Sequence, residues 1–421
     1  MRKLGLMVMV IMIAVAMFGV GETEQQTIRV LHSGDAPFEN GTTFIGETTR
    51  LFNLKYPDIT VEDSKMDLSD GSALTIDAMI AAGMPPNIYM DTMVRASKYM
   101  IPEFALPLDD YITDLDKYQP GILDPYRKDG KLMALPQAGG AQAMAINLDL
   151  MDDIGYTVPD NWTIDDFLEM AALVKAKYNG EKWATGMFAA NQSGDYLMNN
   201  WFAAFGVDFY GPDGYDISTI ADTGGEVVYQ FFNFLNATGY IPPNSAALCD
   251  DDYVMQWSDG NLAATAFFPS WMKPYWDASM KQGTIKEPFR VKYVPFPAML
   301  GVSGVPVYFS NAAIIVNNTG TEIDKAAAYF AELLNSAWAQ TELVKRGMMF
   351  TRIDVTPNQD EYLLQVAAIM AKNGIQDVGI TDPRFTERRS LQFPILQKLL
   401  KGKMSPADAI NEYQEKLTAV K

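Results

Sequence analysis

The sequence predicts an α/β protein of two lobes, each a mixed sheet flanked by helices. Three observations carry that expectation. At 421 residues the chain exceeds what one hydrophobic core usually sustains, so two domains follow from length alone. A hydrophobic fraction of 48% and an aromatic fraction of 12% supply enough apolar surface for a packed interior in each. From Thr27 onward, short β-branched or aromatic runs alternate with stretches of helical periodicity, the order of α/β units.

Charge and cysteine usage narrow the function. With 33 Lys+Arg against 52 Asp+Glu the formal charge is −19, a field that repels phosphodiester backbones and anionic headgroups, so nucleic acid is excluded as a partner. The one cysteine, Cys249, leaves no disulfide framework and no thiol cluster for a metal. Arg2 and Lys3, the uncharged run Leu4 to Val20, and the small Gly19 and Gly21 ahead of Glu22 have the order of a secretory signal, with cleavage expected near Gly21. A retained anchor is the alternative, although the run is shorter than the roughly 20 residues of a membrane span. No cysteine follows the apolar run, so a lipid-free periplasmic or secreted protein is expected.

The elements follow in order. Ile28-Arg29-Val30-Leu31 reads as a strand, then the loop Ser33 to Pro37, then a helix on Phe44, Thr48, Leu51 and Phe52 that ends before Pro57. Asp58 to Glu62 is the next strand. A helix from about Ala73 to Ala82 closes on Gly83, which suits a left-handed cap, and Ile88 to Asp91 is the third strand. Asp129-Gly130 marks a turn. Thr163 with Asp166 has capping-box form, and Ile164, Phe167, Leu168, Ala171 and Val174 make one stripe running to Asn179-Gly180. Trp183 to Phe188 reads as a strand, Gly225 to Thr238 as a helix, and Leu262 to Phe268 as an apolar strand that delivers Pro269, Ser270 and Trp271. Asp250, Asp251 and Asp252 lack the alternation and distant Glu of a calcium loop and read as an acidic helix start. Phe289 to Pro297 and Val307 to Val316 are strands, Thr321 with Asp324 opens a helix through Ala326, Phe330 and Leu334, and Ser336 opens another.

Several of these stretches resemble one family. Leu51 to Glu62 is similar to an "F-x-x-x-Y-P-x-I-x-V-E" signature; Asp129-Gly130-Lys131 to Leu135-Pro136, Ala145 to Leu150 and Asn161-Trp162 to Phe167 are similar to its lobe-crossing turn, strand end and helix start. Ser258 to Phe268 and Leu399 to Ile410 match its later strand and closing helix. The family is that of extracellular solute-binding proteins of the maltodextrin-binding type, family 1 of the sugar-binding proteins of ABC importers. Asn87 stands where its Asp is usual, and the Pro of its "G-x-x-P-x-R" is missing after Gly347.

The resemblance implies a type II periplasmic binding protein with a multi-segment hinge: residues 22–138 plus 295–335 in the N-lobe and 139–294 plus 336–421 in the C-lobe, with crossings near Ala138, Pro295 and Ser336. It implies a monomer that captures a saccharide between the lobes and hands it to the transmembrane permease of an ATP-driven importer. Ligands of open α/β sheets gather beyond the carboxyl ends of strands, which singles out Asp35 and Asp91, with helix capping as the alternative for each. A pyranose has apolar faces and polar edges, so flat aromatic surface must meet fixed hydrogen-bonding groups. Trp271, Tyr196, Trp201 and Tyr275 are the candidate surfaces, with core packing the alternative for each; Asp195, Asn199 and Asn200 are candidate edges, and Tyr308 and Asn311 border the cleft.

Two rival functions stay open. A secreted carbohydrate-active enzyme would need a pair of carboxylates, which so many Asp residues permit; the single His32, read as structural, and the lack of HExxH or GxSxG exclude zinc-protease and serine-hydrolase chemistry. A binding protein for a polyamine or another small cation would also suit the acidic balance. No cofactor, metal or catalytic residue is expected.

Overall fold

The computed structural model describes residues 26–34, 41–66, 72–119, 122–211, 214–355, 360–376, 378–380 and 382–421. The expected secretory segment and Asp35 lie outside them.

Among the described residues nine strands form: β1 (Thr27–His32), β2 (Thr60–Lys65), β3 (Ile88–Thr92), β4 (Arg127–Lys128), β5 (Lys131–Leu132), β6 (Leu135–Asn147), β7 (Ala264–Phe267), β8 (Val291–Val294) and β9 (Tyr308–Val316). β4 and β5 make a small hairpin whose turn residues Asp129 and Gly130 both have positive φ, the twist that matches a two-residue hairpin. The other strands run β2-β1-β3-β9-β6-β7, with β8 also on β6. β1 is parallel to β2 and β3, whereas β9 is antiparallel to both β3 and β6. β6 is the spine. Its first half pairs with β9 and its second half with β7 and β8.

Two hydrophobic clusters flank that spine. One draws on residues between Ile28 and Ala138 and again between Ala313 and Leu343; the other draws on Ala141 to Tyr308 and Met349 to Leu417, joined by Val94 from the first body's chain. The chain therefore passes between clusters along β6, along β9, and after Leu343. Expectation and packing differ at two boundaries. Phe296, Val305 and Val307 belong to the second cluster because β8 pairs with the far half of β6 and the chain leaves that body only through β9. Ala339 and Leu343 belong to the first because helix Ala337–Lys345 follows helix Ile323–Leu334 after a short connection.

The helices form where their caps predict. Thr163 accepts from the Asp166 amide while Asp166 accepts from that of Thr163, a complete capping box for helix Ile164–Tyr178, which ends on left-handed Asn179. Helix Gly225–Thr238 ends on left-handed Gly239, and Gly83 has φ 71°. The three aspartates open helix Asp250–Ser258, where Asp252 caps the Cys249 amide at 3.0 Å. Two expectations change. Trp183 to Phe188 forms only a bridge from Trp183 to Leu262, since the Ala184 and Thr185 amides turn to the Tyr240 carbonyl. Asp324 does not box with Thr321; its buried carboxylate takes the Thr319 and Gly320 amides in the turn before the helix.

Candidate functional site

β7 lies antiparallel on β6 with Phe267 opposite Ala143. Phe268 is extended, Pro269 occupies the first helical turn, and helix Pro269–Gln282 begins, as proline's fixed φ favours. This start sits against two of the three segments that link the clusters. A Cβ on Gly140 of β6 would come 2.9 Å from the Phe268 ring, and one on Gly347, at φ +79°, would come 3.1 Å from Ser270 Cα. Glycine at both places is what allows the approach.

Trp271 stands one residue further on, at the junction of the two bodies. It is half-buried, with ring centroids 4.7 Å from Phe268, 6.0 Å from Phe267 and 6.4 Å from Tyr275, the last at an interplanar angle of 54°. Tyr275 is also half-buried. Burial raises its phenol pKa, reinforced by the negative charges of Asp251 and Asp250, which keeps the hydroxyl a neutral donor. Asp250 in turn accepts from Asn191 Nδ2 at 2.9 Å. Half-buried aromatic surface is thus bordered by hydroxyl, amide and carboxylate, a set suited to a ligand with apolar faces and polar edges. Asn191 and the aspartates were not singled out as site residues, because only the fold brings helix Asp250–Ser258 beside helix Pro269–Gln282.

The other expected residues fall elsewhere. Asp91 is fully buried and bound to Arg95 at 2.6 and 2.7 Å, to the Tyr89 hydroxyl at 2.9 Å and to the Thr92 amide at 2.7 Å. Asp195 is buried in a two-point pair with Arg389, both contacts 2.8 Å. Asn200 is fully buried between Gln142 Oε1 at 3.2 Å and the Tyr308 amide at 3.0 Å, and the Tyr308 side chain is buried with it. Asn199 is buried, its carbonyl accepting from Gln376 Nε2. Trp201 is core: no part is exposed, and its ring meets Phe167, Phe231 and Phe296 at 5.1–5.5 Å. These six are corrected from solute contacts to packing and support. Asp91 is taken up by neighbours within four residues, whereas Asp195 meets Arg389 and Asn200 meets Gln142 and Tyr308 from far along the chain. The side chains of Tyr196 and Asn311 lie outside the described residues, as does Asp35.

His32 is buried, its Nε2 3.3 Å from Asp63 Oδ2. The bodies also touch away from the crossing strands, where Thr386 Oγ1 donates to the Val94 carbonyl at 2.9 Å and Ser97 Oγ to that of Asp382 at 3.3 Å. Among the described residues no group of His, Cys, Asp and Glu is arranged to hold a metal ion, and no helix is long and apolar enough to cross a membrane.

Two packed bodies joined by shared strands, with a half-buried aromatic pair at their junction, have the architecture of the two-lobed, type II solute-binding fold. Residues 35–340 match the family described as bacterial extracellular solute-binding protein, and the chain belongs to that family. Solved structures share the fold. A solute-binding protein of an ABC transporter from Thermotoga lettingae, bound with α-D-tagatose, superposes with a TM-score of 0.76 at 16% identity, covering 94% of this chain and 99% of that one. Maltose-bound MalE3 of T. maritima gives 0.74 at 18% identity, covering 93% and 98%. The arabinooligosaccharide-binding protein of Halalkalibacterium halodurans is 25% identical over 171 residues, 39% of this chain and 36% of that protein. The match thus spans about a third of that curated relative.

Proposed function

We propose that this chain is an extracytoplasmic binding protein that captures a sugar or oligosaccharide between its lobes and delivers it to the permease of an ABC importer, acting as a monomer without catalysis. The observation that carries the reading is the Trp271–Tyr275 platform at the junction of the lobes, edged by Asn191 and Asp250. The saccharides bound by the similar proteins support it. So does the acidic balance, since −19 opposes an anionic solute.

Solute lying on Trp271 while touching the other lobe favours the closed arrangement by its differential affinity for that state, and no more. The closed arrangement is the form a permease would distinguish from empty protein. Micromolar capture corresponds to about 8 kcal/mol. A thermal-shift panel of mono- and oligosaccharides alongside polyamines tests the reading. Ligand at a hundred times its Kd stabilises the folded state by about 2.7 kcal/mol, so a rise confined to sugars is the expected result. A rise confined to polyamines would replace the saccharide with a cation, and cleavage of an oligosaccharide during incubation would replace binding with catalysis.

A further inference from the structure

The ladder between β6 and β9 slips by one residue at the lobe junction: Pro136 faces Ala313, whereas Gly139 faces Asn311. Gln137 and Ala138 therefore share one partner position, which is the geometry of a β-bulge. Bulged carbonyls must find other donors. Here buried side chains supply them.

Pro136 O accepts from Asn335 Nδ2 at 2.6 Å and from Thr351 Oγ1 at 3.2 Å, and Gln137 O accepts from Gln340 Nε2. Gln340 also donates to Asn335 Oδ1 and accepts the Thr351 amide at 2.8 Å, while Asn335 donates to the Tyr118 hydroxyl at 2.9 Å. Asn335 and Gln340 are fully buried. A saturated buried network is rigid, because loosening any member strands a polar group away from water.

The far side of the bulge is built differently. Gly139 exchanges both backbone bonds with Met349, at 3.1 and 2.8 Å, and Gly140 has no side chain to resist rotation. From this contrast we infer that the lobes turn about Gly139–Gly140, and that Gln340 is the positioning residue that fixes the N-lobe end of the pivot and so sets the resting angle between lobes. Gln340 reaches β6, helix Ala337–Lys345 and the segment after Gly347, the three parts of the chain that meet at this crossing. It touches none of the residues proposed to meet solute. The inference rests on membership of the two-lobed family and not on the identity of the solute.

The test needs no solute. Spin labels on Glu62→Cys and Lys401→Cys, one per lobe in a Cys249→Ser background, report the interlobe distance by double electron–electron resonance. Gln340→Met keeps length and removes every amide bond; the expected result is a folded protein whose distance distribution is at least twofold broader or visibly displaced. Thr351→Val removes one hydroxyl only and should shift the distribution the same way by less. A cooperatively melting Gln340→Met protein with the original distribution overturns the inference. Should that variant not fold, Thr351→Val decides: broadening or displacement supports the pivot, and an unchanged distribution overturns it. A carbohydrate panel that finds no ligand leaves this result untouched.

Discussion

Trp271 and Trp201 look alike in sequence, each among aromatic neighbours, yet the fold separates them. Trp201 is enclosed by Phe167, Phe231 and Phe296, so Trp201→Ala should cost about 3–5 kcal/mol of stability through the cavity it leaves, measured as a lowered denaturant midpoint. Trp271 is only half-buried. Trp271→Ala should lower affinity for the solute tenfold to a hundredfold, about 1–3 kcal/mol, with a small change in unfolding midpoint; calorimetry with whichever sugar the panel identifies reads the first and thermal melting the second. Intact affinity with a collapsed midpoint would return Trp271 to the core. Asp382 gives a pH test. Burial pushes its carboxyl up, but bonds from Arg384 and the charges of Arg384 and Arg388 outweigh this and hold the pKa below its ordinary value. A depressed folded pKa contributes stability that is full above the unfolded value, near 4, and fades as pH falls through the folded one. Asp382→Asn, which leaves buried Arg388 and half-buried Arg384 short of a counter-charge, should therefore destabilise most at neutral pH. Melts across pH 7 to 3 should show the gap to the parent protein closing on the acid side.

At the scale of elements, local chemistry was the legible part. The Thr163–Asp166 box, the Asn179 and Gly239 ends and the acidic start at Asp250 are written in adjacent residues, and the structure places them as expected. What was not legible depends on remote partners. Trp183 to Phe188 has a strand's composition, but the Tyr240 carbonyl captures its amides; the lobe boundary near Pro295 fails because β8 binds the distal half of β6, a pairing no nearby residue encodes. For the site, the aromatic pair could be read from the Pro269–Tyr275 stretch, and the pairing of Asp91 with Arg95 follows i,i+4 spacing, whereas that of Asp195 depends on Arg389, which no local periodicity points to. Glycine marks the connection between site and crossing segments. Gly347 needs its positive φ and its bare Cα against Ser270, so Gly347→Ala should destabilise by about 1–2 kcal/mol from backbone strain alone. It should also push the start of helix Pro269–Gln282 outward, so that affinity falls although no solute contact has been removed. Titration calorimetry beside a melt checks both parts, and unchanged affinity would detach this helix start from the site.

At the scale of the whole molecule, the two clusters have separate interiors but share β6 and β9, so relative motion bends strands instead of breaking a core. On the proposed rotation about such a junction, a ligand's differential affinity for one arrangement would decide between them. The contacts from Thr386 to Val94 and from Ser97 to Asp382 join the lobes away from the strands and should form or break as a unit with that rotation. Small-angle scattering of the protein with and without saturating sugar should show a smaller radius of gyration in the bound state. Thr386→Val with Ser97→Ala removes both donors without touching Trp271 or the pivot, and should leave the free protein more open and weaken capture by the share of closure those bonds supplied. Two hydrogen bonds at about 1 kcal/mol each set the scale, a loss of up to roughly thirtyfold in affinity. If the double variant scatters like the parent with and without sugar, these contacts persist in both arrangements, and the rotation axis must then lie so that Val94 and Asp382 stay together.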